Sequence, residues 1–255
     1  MKIDIITIFP GMFSGPLAES LIGKARAKGI LEIAVTDLRD FAKDKHHKAD
    51  DSPFGGGPGM VMKPDLIYDA LKSLKAVKSK RSAVGKNTAK PLVIFMSPQG
   101  KTLDSDTARA LAKHKHLVLL CGHYEGIDER AMDWVDDEIS IGDYVLTGGE
   151  LPAMVLVDCV ARHLPGVVKE ADSVKNDSFY SGLLDNPHYT RPAVFRKKKV
   201  PEVLLSGHHK NIEAWRRKES LKRSYLKRPD LLDKVKLSPE DEQTLKEIKK
   251  EIKES

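Results

Sequence analysis

Residues 116–130 read HLVLLCGHYEGIDER. The stretch from His116 to Cys121 is short, apolar and rich in Leu and Val, as a buried strand requires. Gly122 follows at once, and residues 122–130 carry turn formers, so the strand ends in a loop. The arrangement recurs on both sides. Residues 91–96, PLVIFM, read as a buried strand running into SPQG at 97–100. Residues 138–141, EISI, read as a short strand running into IGDYVLTGGE at 141–150. Helical patterns over 104–113 and 128–134 separate the three. Strands alternating with helices predict a parallel α/β sheet, and such sheets bind ligands beyond the carboxyl ends of their strands. Gly122, Gly126, Gly142, Gly148 and Gly149 would let backbone approach a flat ligand closely. Any one of these loops is compatible with a tight turn. Three at successive strand ends point to a binding cleft.

Outward from this region, residues 2–8 (KIDIITI) read as a strand, 10–29 as a helical stretch stopped by Gly29, and 31–38 as a second strand. Residues 39–63 have no periodicity over a length that is usually functional or disordered. They include KDKHHKADD and FGGGPGM, whose backbone amides could meet a phosphate or a base edge; a hinge loop fits the same spacing. A helix is expected over 64–77, then a polar insert over 78–90. Thr147 opens a further helix, with Thr147 and Glu150 spaced as a capping box. This helix is apolar nearly all round to about Leu164, as a helix in a core or at a subunit interface would be. Residues 167–192 read as a linker or lid. Helical patterns over 208–227 and 238–253 predict a small all-α C-terminal domain. Within it Trp215, Leu221 and Tyr225 have the spacing of core residues rather than of base-stacking platforms.

The 255-residue chain is 40% hydrophobic and 31% charged, an ordinary globular composition. No apolar run approaches membrane-spanning length, and the first residues lack a secretory signal pattern. Cys121 and Cys159 both sit in apolar surroundings, which argues against a disulfide framework or a cysteine-built zinc site. A cytosolic (cytoplasmic) protein is expected. The net charge is +6 but unevenly spread. From Arg191 onward there are 19 Lys+Arg against 11 Asp+Glu, a net +8. The excess base therefore belongs to the C-terminal quarter, and phosphate-rich partners or a merely soluble basic tail would both explain it.

Several chemistries can be set aside. GKT at 100–102 resembles the end of a P-loop, but Phe95 stands where that loop needs glycine. No Gly-x-Gly-x-x-Gly follows the first strand. The pairs His46–His47 and His208–His209 are adjacent, so regular backbone would splay them apart; no dedicated metal site is expected. Arg162, near the end of the helix that starts at Thr147, could simply complement the helix dipole. Asp177 could simply serve a turn.

Together these stretches resemble the bacterial tRNA (guanine-N1)-methyltransferase family. The matching segments are IDIITIFPGMF, PFGGGPGMVMKP, SPQGKTL, LLCGHYEGIDER, EISIGDYVLTGGELPAMVLVD, DSFYSGLLDNPHYTRPAVF and VPEVLLSGHHKNIEAWRRKESLKR, in order along nearly the whole chain. The resemblance implies an α/β parallel-sheet SPOUT fold with a deep trefoil knot. It divides the chain into a catalytic domain at 1–166, a flexible linker or lid at 167–190 and a basic tRNA-binding domain at 191–255. It implies methyl transfer from S-adenosylmethionine to N1 of the guanine immediately 3′ of the tRNA anticodon, by a homodimer whose two sites each draw on both subunits. Ser97, Pro98, Gly100, Gly122, Tyr124, Glu125, Ile141, Gly142, Tyr144, Leu146 and Gly148 would hold the cofactor. Asp177 would be the general base and Arg162 the charge-stabilising residue. Gly57, Gly59, Met60, His188, Arg191, Arg216, Arg217 and Arg223 would meet the anticodon arm. Dependence on Mg²⁺ is also implied, with an ion near the substrate and Glu125. Neither membrane nor DNA is an implied partner. His123 departs from the pattern, standing where many members carry Arg.

Two other readings remain open on the residues alone. A knotted ribose 2′-O-methyltransferase would have no use for a carboxylate such as Asp177 poised for guanine N1. A non-catalytic RNA-binding protein would explain the basic tail but not the three loops.

Overall fold

The computed structural model describes residues 1–77, 90–169 and 177–254. Most of the polar insert expected at 78–90, and part of the expected linker, lie outside them. Five strands form one sheet in the order β2-β1-β6-β5-β7: β1 (Lys2–Thr7), β2 (Glu32–Asp37), β5 (Leu92–Thr102), β6 (His116–Cys121) and β7 (Asp137–Ser140). Every neighbouring pair is parallel. Two minor strands, β3 (Asp50–Asp51) and β4 (Val61–Met62), pair antiparallel within the long loop.

The sheet is central because its strands are apolar on both faces. Successive residues alternate between two cores. Ile3, Ile5, Ile94, Leu117 and Leu119 enter one, with Phe13 and Leu31. Ile6, Val93, Phe95, Val118 and Leu120 enter the other. The first core is closed by α1 (Ser20–Ala27), α3 (Ser105–Leu111) and α4 (Glu150–Ala161), the second by α2 (Pro64–Ser73). Burying each such Ile or Leu stabilises the fold by about 1.5–3 kcal/mol. Within β1, Asp4 is a buried charged residue. Its carboxylate meets His116 Nε2 at 2.5 Å and Lys2 Nζ at 3.2 Å.

Three local expectations are corrected. SPQG is not a turn beyond a strand. β5 runs on through it, and its register against β7 shifts, so that both Met96 and Lys101 pair with Ile139. Thr147 does not cap α4: Gly149 is the N-cap and no side chain caps it. The Glu150 carboxylate instead accepts a 2.8 Å hydrogen bond from Thr7 Oγ1 on β1. The helical stretch over 10–29 is split into a 3₁₀ turn at Pro10–Phe13 and the short α1.

The chain divides into two compact units, Met1–Lys169 and Glu170–Ser255. The second is built on α5 (His209–Lys227) and α6 (Pro239–Lys253), with Leu183, Leu221 and Ile248 as its core. It is not purely helical, since β8 (Val194–Phe195) and β9 (Lys198–Lys199) form a small antiparallel hairpin. Ser238 and Asp241 make the capping box of α6. Residues that read as linker are docked here: Leu183 is buried, and Leu184 N–H donates to Ser224 Oγ on α5 at 2.9 Å. The amphipathic spacing of α5 signals only that one face has a partner, not that an aperiodic segment fills it.

Candidate active site

The bulge of β5 and the carboxyl ends of β6 and β7, three neighbours in the sheet, open into one cleft of ≈ 420 Å³. Ser97 and Pro98 come from the bulge of β5, Gly122 to Gly126 from the loop after β6, and Ile141 to Gly149 from the loop after β7. Of the residues expected to hold a cofactor, ten converge here: Ser97, Pro98, Gly122, Tyr124, Glu125, Ile141, Gly142, Tyr144, Leu146 and Gly148. Gly100 does not line the cleft. A Cβ on it would lie 2.4 Å from the backbone of Glu138 and Ile139, so it serves the close approach of β5 to β7.

The loops are shaped by their own hydrogen bonds. Ser140 Oγ accepts from Gly142 N–H at 3.1 Å and donates to Gly142 O at 3.0 Å, which fixes the turn leaving β7. Gly142 has φ +147°, a region that disfavours side chains. Buried Ser97 accepts from Gln99 N–H at 3.1 Å. The third loop then crosses the second on its way into α4. His123 and Gly148 form an antiparallel bridge, and Gly149 N–H donates to Gly122 O at 2.8 Å. A Cβ on Gly149 would sit 2.9 Å from Cys121 Cα. Cys121 is fully enclosed; burial first, and then the nearby Glu150 charge, push its thiol well above the usual range. It behaves as an apolar core residue.

The glycine-rich loop also reaches this region. Gly59 faces Glu125, whose Oε1 would be 2.3 Å from an added Cβ, and Glu125 N–H donates to Met60 O at 3.1 Å. Met62 continues the contact with Gly126 and Asp128. Gly57 is exposed, as is Phe54 in the same loop. No sequence signal linked this loop to GHYEGIDER, because backbone pairing across 60 residues leaves no periodic trace.

Arg162 is the C-cap residue of α4 in the first unit and does not line the cleft. Asp177 belongs to the second unit, where Tyr180 N–H donates to its carbonyl at 3.2 Å. His188 is exposed and pairs with Asp185 at 2.8 Å, and Arg191 and Arg216 are exposed. Arg223 is half-buried on α5. Arg217 is committed differently: its Nε and Nη2 both donate to Asp241 at 2.8 Å. That pairing holds the Asp241 carboxyl at about 2, well below its ordinary value. Tyr225 packs against the core, and Trp215 stacks near Tyr189 with ring centroids 6.2 Å apart. Among the described residues, no group of three or more His, Cys, Asp or Glu gathers as metal ligands. Nor is any described helix long and apolar enough to cross a membrane.

A cleft formed by a strand bulge and two loops on three adjacent parallel strands defines an α/β protein suited to enclosing a small ligand. Comparison with known proteins identifies which kind. The family profile described as tRNA (Guanine-1)-methyltransferase TrmD matches residues 1–234. The tRNA (guanine-N(1)-)-methyltransferase of Endomicrobium trichonymphae is 64% identical over 234 residues, covering 92% of this chain and all of the relative. The enzymes of the same name from Dictyoglomus turgidum and Geobacillus kaustophilus are 52% and 54% identical, each over at least 98% of both chains. The chain belongs to the tRNA (guanine-1)-methyltransferase family, the family its motifs resemble.

Proposed function

We propose that this protein transfers a methyl group from S-adenosylmethionine to N1 of guanine in tRNA, at the base immediately 3′ of the anticodon. The observation that carries this reading is the family match across residues 1–234, which contain every loop of the cleft. The cleft suits the cofactor. A Cβ on Gly122 would lie 2.9 Å from the Phe95 ring, so only glycine fits where the second loop leaves β6. Tyr144, Leu146 and Ile141 offer apolar cover, and Ser97, Gly122, Gly142 and Gly148 offer backbone groups. Bound there, S-adenosylmethionine supplies an electrophilic methyl group on a positively charged sulfur. The crossing of the third loop over Cys121 to His123 supports the knotted SPOUT topology as part of this reading.

Guanine N1 carries a proton and is a weak nucleophile while neutral. Asp177 accepts that proton as the N1–methyl bond forms. Arg162 stabilises the negative charge that accumulates on O6. In this reading two copies of the chain combine to complete each site. Leu151 and Val155, a turn apart on α4, are about half exposed, and Val145 is 84% exposed. Such an apolar surface beside the cleft suits a second subunit. Arg191, Arg216, Arg223 and His188 grip the anticodon arm, chiefly through phosphates, while Gly57, Gly59 and Met60 meet the target base. Arg217 serves the α5–α6 contact instead. The described residues do not gather as a dedicated Mg²⁺ site, so no step is assigned to the ion.

Transfer of labelled methyl to transcripts carrying guanine or adenine 3′ of the anticodon tests the reading. Methylation of the guanine transcript alone is expected. Asp177→Asn should lower kcat by about 10²–10⁴ while S-adenosylmethionine binding persists. Equal labelling of both transcripts would overturn the target. Full activity of Asp177→Asn would overturn the assignment of the base.

A further inference from the structure

The reaction as derived leaves one cluster beneath the cleft unused. Glu150, the first residue of α4, is 1% exposed, an unusual setting for a carboxylate. One oxygen, Oε1, accepts from Thr7 Oγ1 at the end of β1. The same hydroxyl accepts from Phe9 N–H at 2.9 Å. The other oxygen, Oε2, faces His123 Nδ1 at 3.5 Å. That nitrogen is itself buried and has no hydrogen-bond partner. The ring is held edge-on between Phe9, with centroids 4.7 Å apart, and Tyr124, at 4.9 Å. Between the two side chains passes Gly148, where a Cβ would stand 2.3 Å from both Glu150 Oε2 and His123 Nδ1.

An ionised carboxylate accepts hydrogen bonds only, so a hydrogen bond from His123 to it needs the ring proton on Nδ1. A shift of a few tenths of an ångström makes this contact a charge-assisted hydrogen bond. We infer that His123 and Glu150 form a clasp across Gly148 that positions the second and third cleft loops, with His123 acting through its Nδ1–H. The inference rests on the cleft being the S-adenosylmethionine site. His123 sits on the loop after β6 and Glu150 follows the loop after β7. Thr7 anchors Glu150 to β1. The clasp thus locks the point where the loops cross, where Gly149 N–H meets Gly122 O. His123 and Glu150 are positioning residues that act through the loop backbone.

Asparagine places an N–H near the site of Nδ1, and glutamine near that of Nε2, so the two substitutions separate the ring nitrogens. Calorimetric titration of the full-length protein with S-adenosylmethionine gives the test. His123→Ala and His123→Gln should each weaken binding about tenfold, with His123→Asn recovering most of the loss. Gln rescuing in place of Asn would overturn the assignment to Nδ1. Unchanged affinity in all three would overturn the clasp. A second readout does not depend on the ligand. In ¹⁵N-histidine spectra, His123 should show the Nδ1–H signature in the wild type and lose its tautomer preference in Glu150→Gln. If the wild type bound no S-adenosylmethionine, the functional reading would fall, and the ¹⁵N spectra would still decide the clasp: an Nε2–H ring in the wild type overturns it.

Discussion

Gly149→Ala isolates the loop crossing on which the cleft depends. The backbone there has φ −82° and ψ −2°, values that alanine can adopt, so any effect comes from the added methyl group. That methyl carbon would lie 2.9 Å from Cys121 Cα and 3.0 Å from Gly122 N. Both are backbone atoms at the end of a central strand, with no rotamer to change. Restoring ordinary contact requires the third loop to rise by about 0.5 Å or more. Overpacking of this kind costs about 1–3 kcal/mol. The 2.8 Å bond from Gly149 N–H to Gly122 O is stretched and weakened as the loop rises, adding up to about 1 kcal/mol. A total of about 1–4 kcal/mol corresponds to a fall in Tm of roughly 3–15 °C for a unit of this size. Scanning calorimetry measures the fall, and titration with S-adenosylmethionine should show affinity reduced at least tenfold in parallel. Gly11→Ala is the control, since nothing lies within 4 Å of its added Cβ. If Gly149→Ala melted within about 2 °C of the wild type and bound S-adenosylmethionine as tightly, the argument that the crossing builds the cleft would be refuted.

Three further outcomes are expected. The Asp241 carboxyl, held at about 2 by Arg217, stabilises the second unit fully above the unfolded-state value near 4 and loses that contribution as pH falls toward 2. With the Arg217 side chain 40% exposed, the contribution is about 1–2 kcal/mol. Urea unfolding followed by Trp215 fluorescence in a Trp134→Phe background should therefore show Asp241→Asn destabilised at pH 7, with the gap to the parent closing below pH 4. Replacing Arg216 and Arg223 by Gln should weaken tRNA binding and lower the slope of log K against log salt by about 0.7–0.9 per lost phosphate contact, measured by filter binding; an unchanged slope would remove them from the interface. Val155→Asp places a charge on the exposed apolar stripe of α4 and should shift the protein toward monomer in sedimentation velocity, with methyl transfer lost alongside; an active monomer would refute the shared-site reading.

Much of this molecule could be read directly from the chain. The apolar runs at 2–8, 91–96 and 116–121 are strands because they are too short and too β-branched or leucine-rich for anything but a doubly covered sheet. The helix at 64–73 and the pair at 209–227 and 239–253 follow from 3.6-residue spacing. The three segments SPQG, GHYEGIDER and IGDYVLTGGE were recognisable as a site from their turn-forming residues after apolar runs, and ten of the residues expected in them share one cleft. The motif resemblance fixed the family.

Tertiary structure decided the rest. SPQG reads locally as a turn, yet pairing with β7 draws it into a bulged strand, since a ladder of backbone hydrogen bonds outweighs local turn preference. Thr147 and Glu150 have capping-box spacing, but Thr7, 143 positions away along the chain, claims the Glu150 carboxylate. Arg217 looked like one more phosphate-binding cation until α6 brought Asp241 beside it. His123 read as a departure from the motif, and became a partner for Glu150 only when two loops crossed at Gly148. Short-range patterns are legible because propensity and hydrophobic periodicity are properties of neighbouring residues. Partnerships between distant segments are not, because they arise only when the packed sheet fixes which strand ends meet.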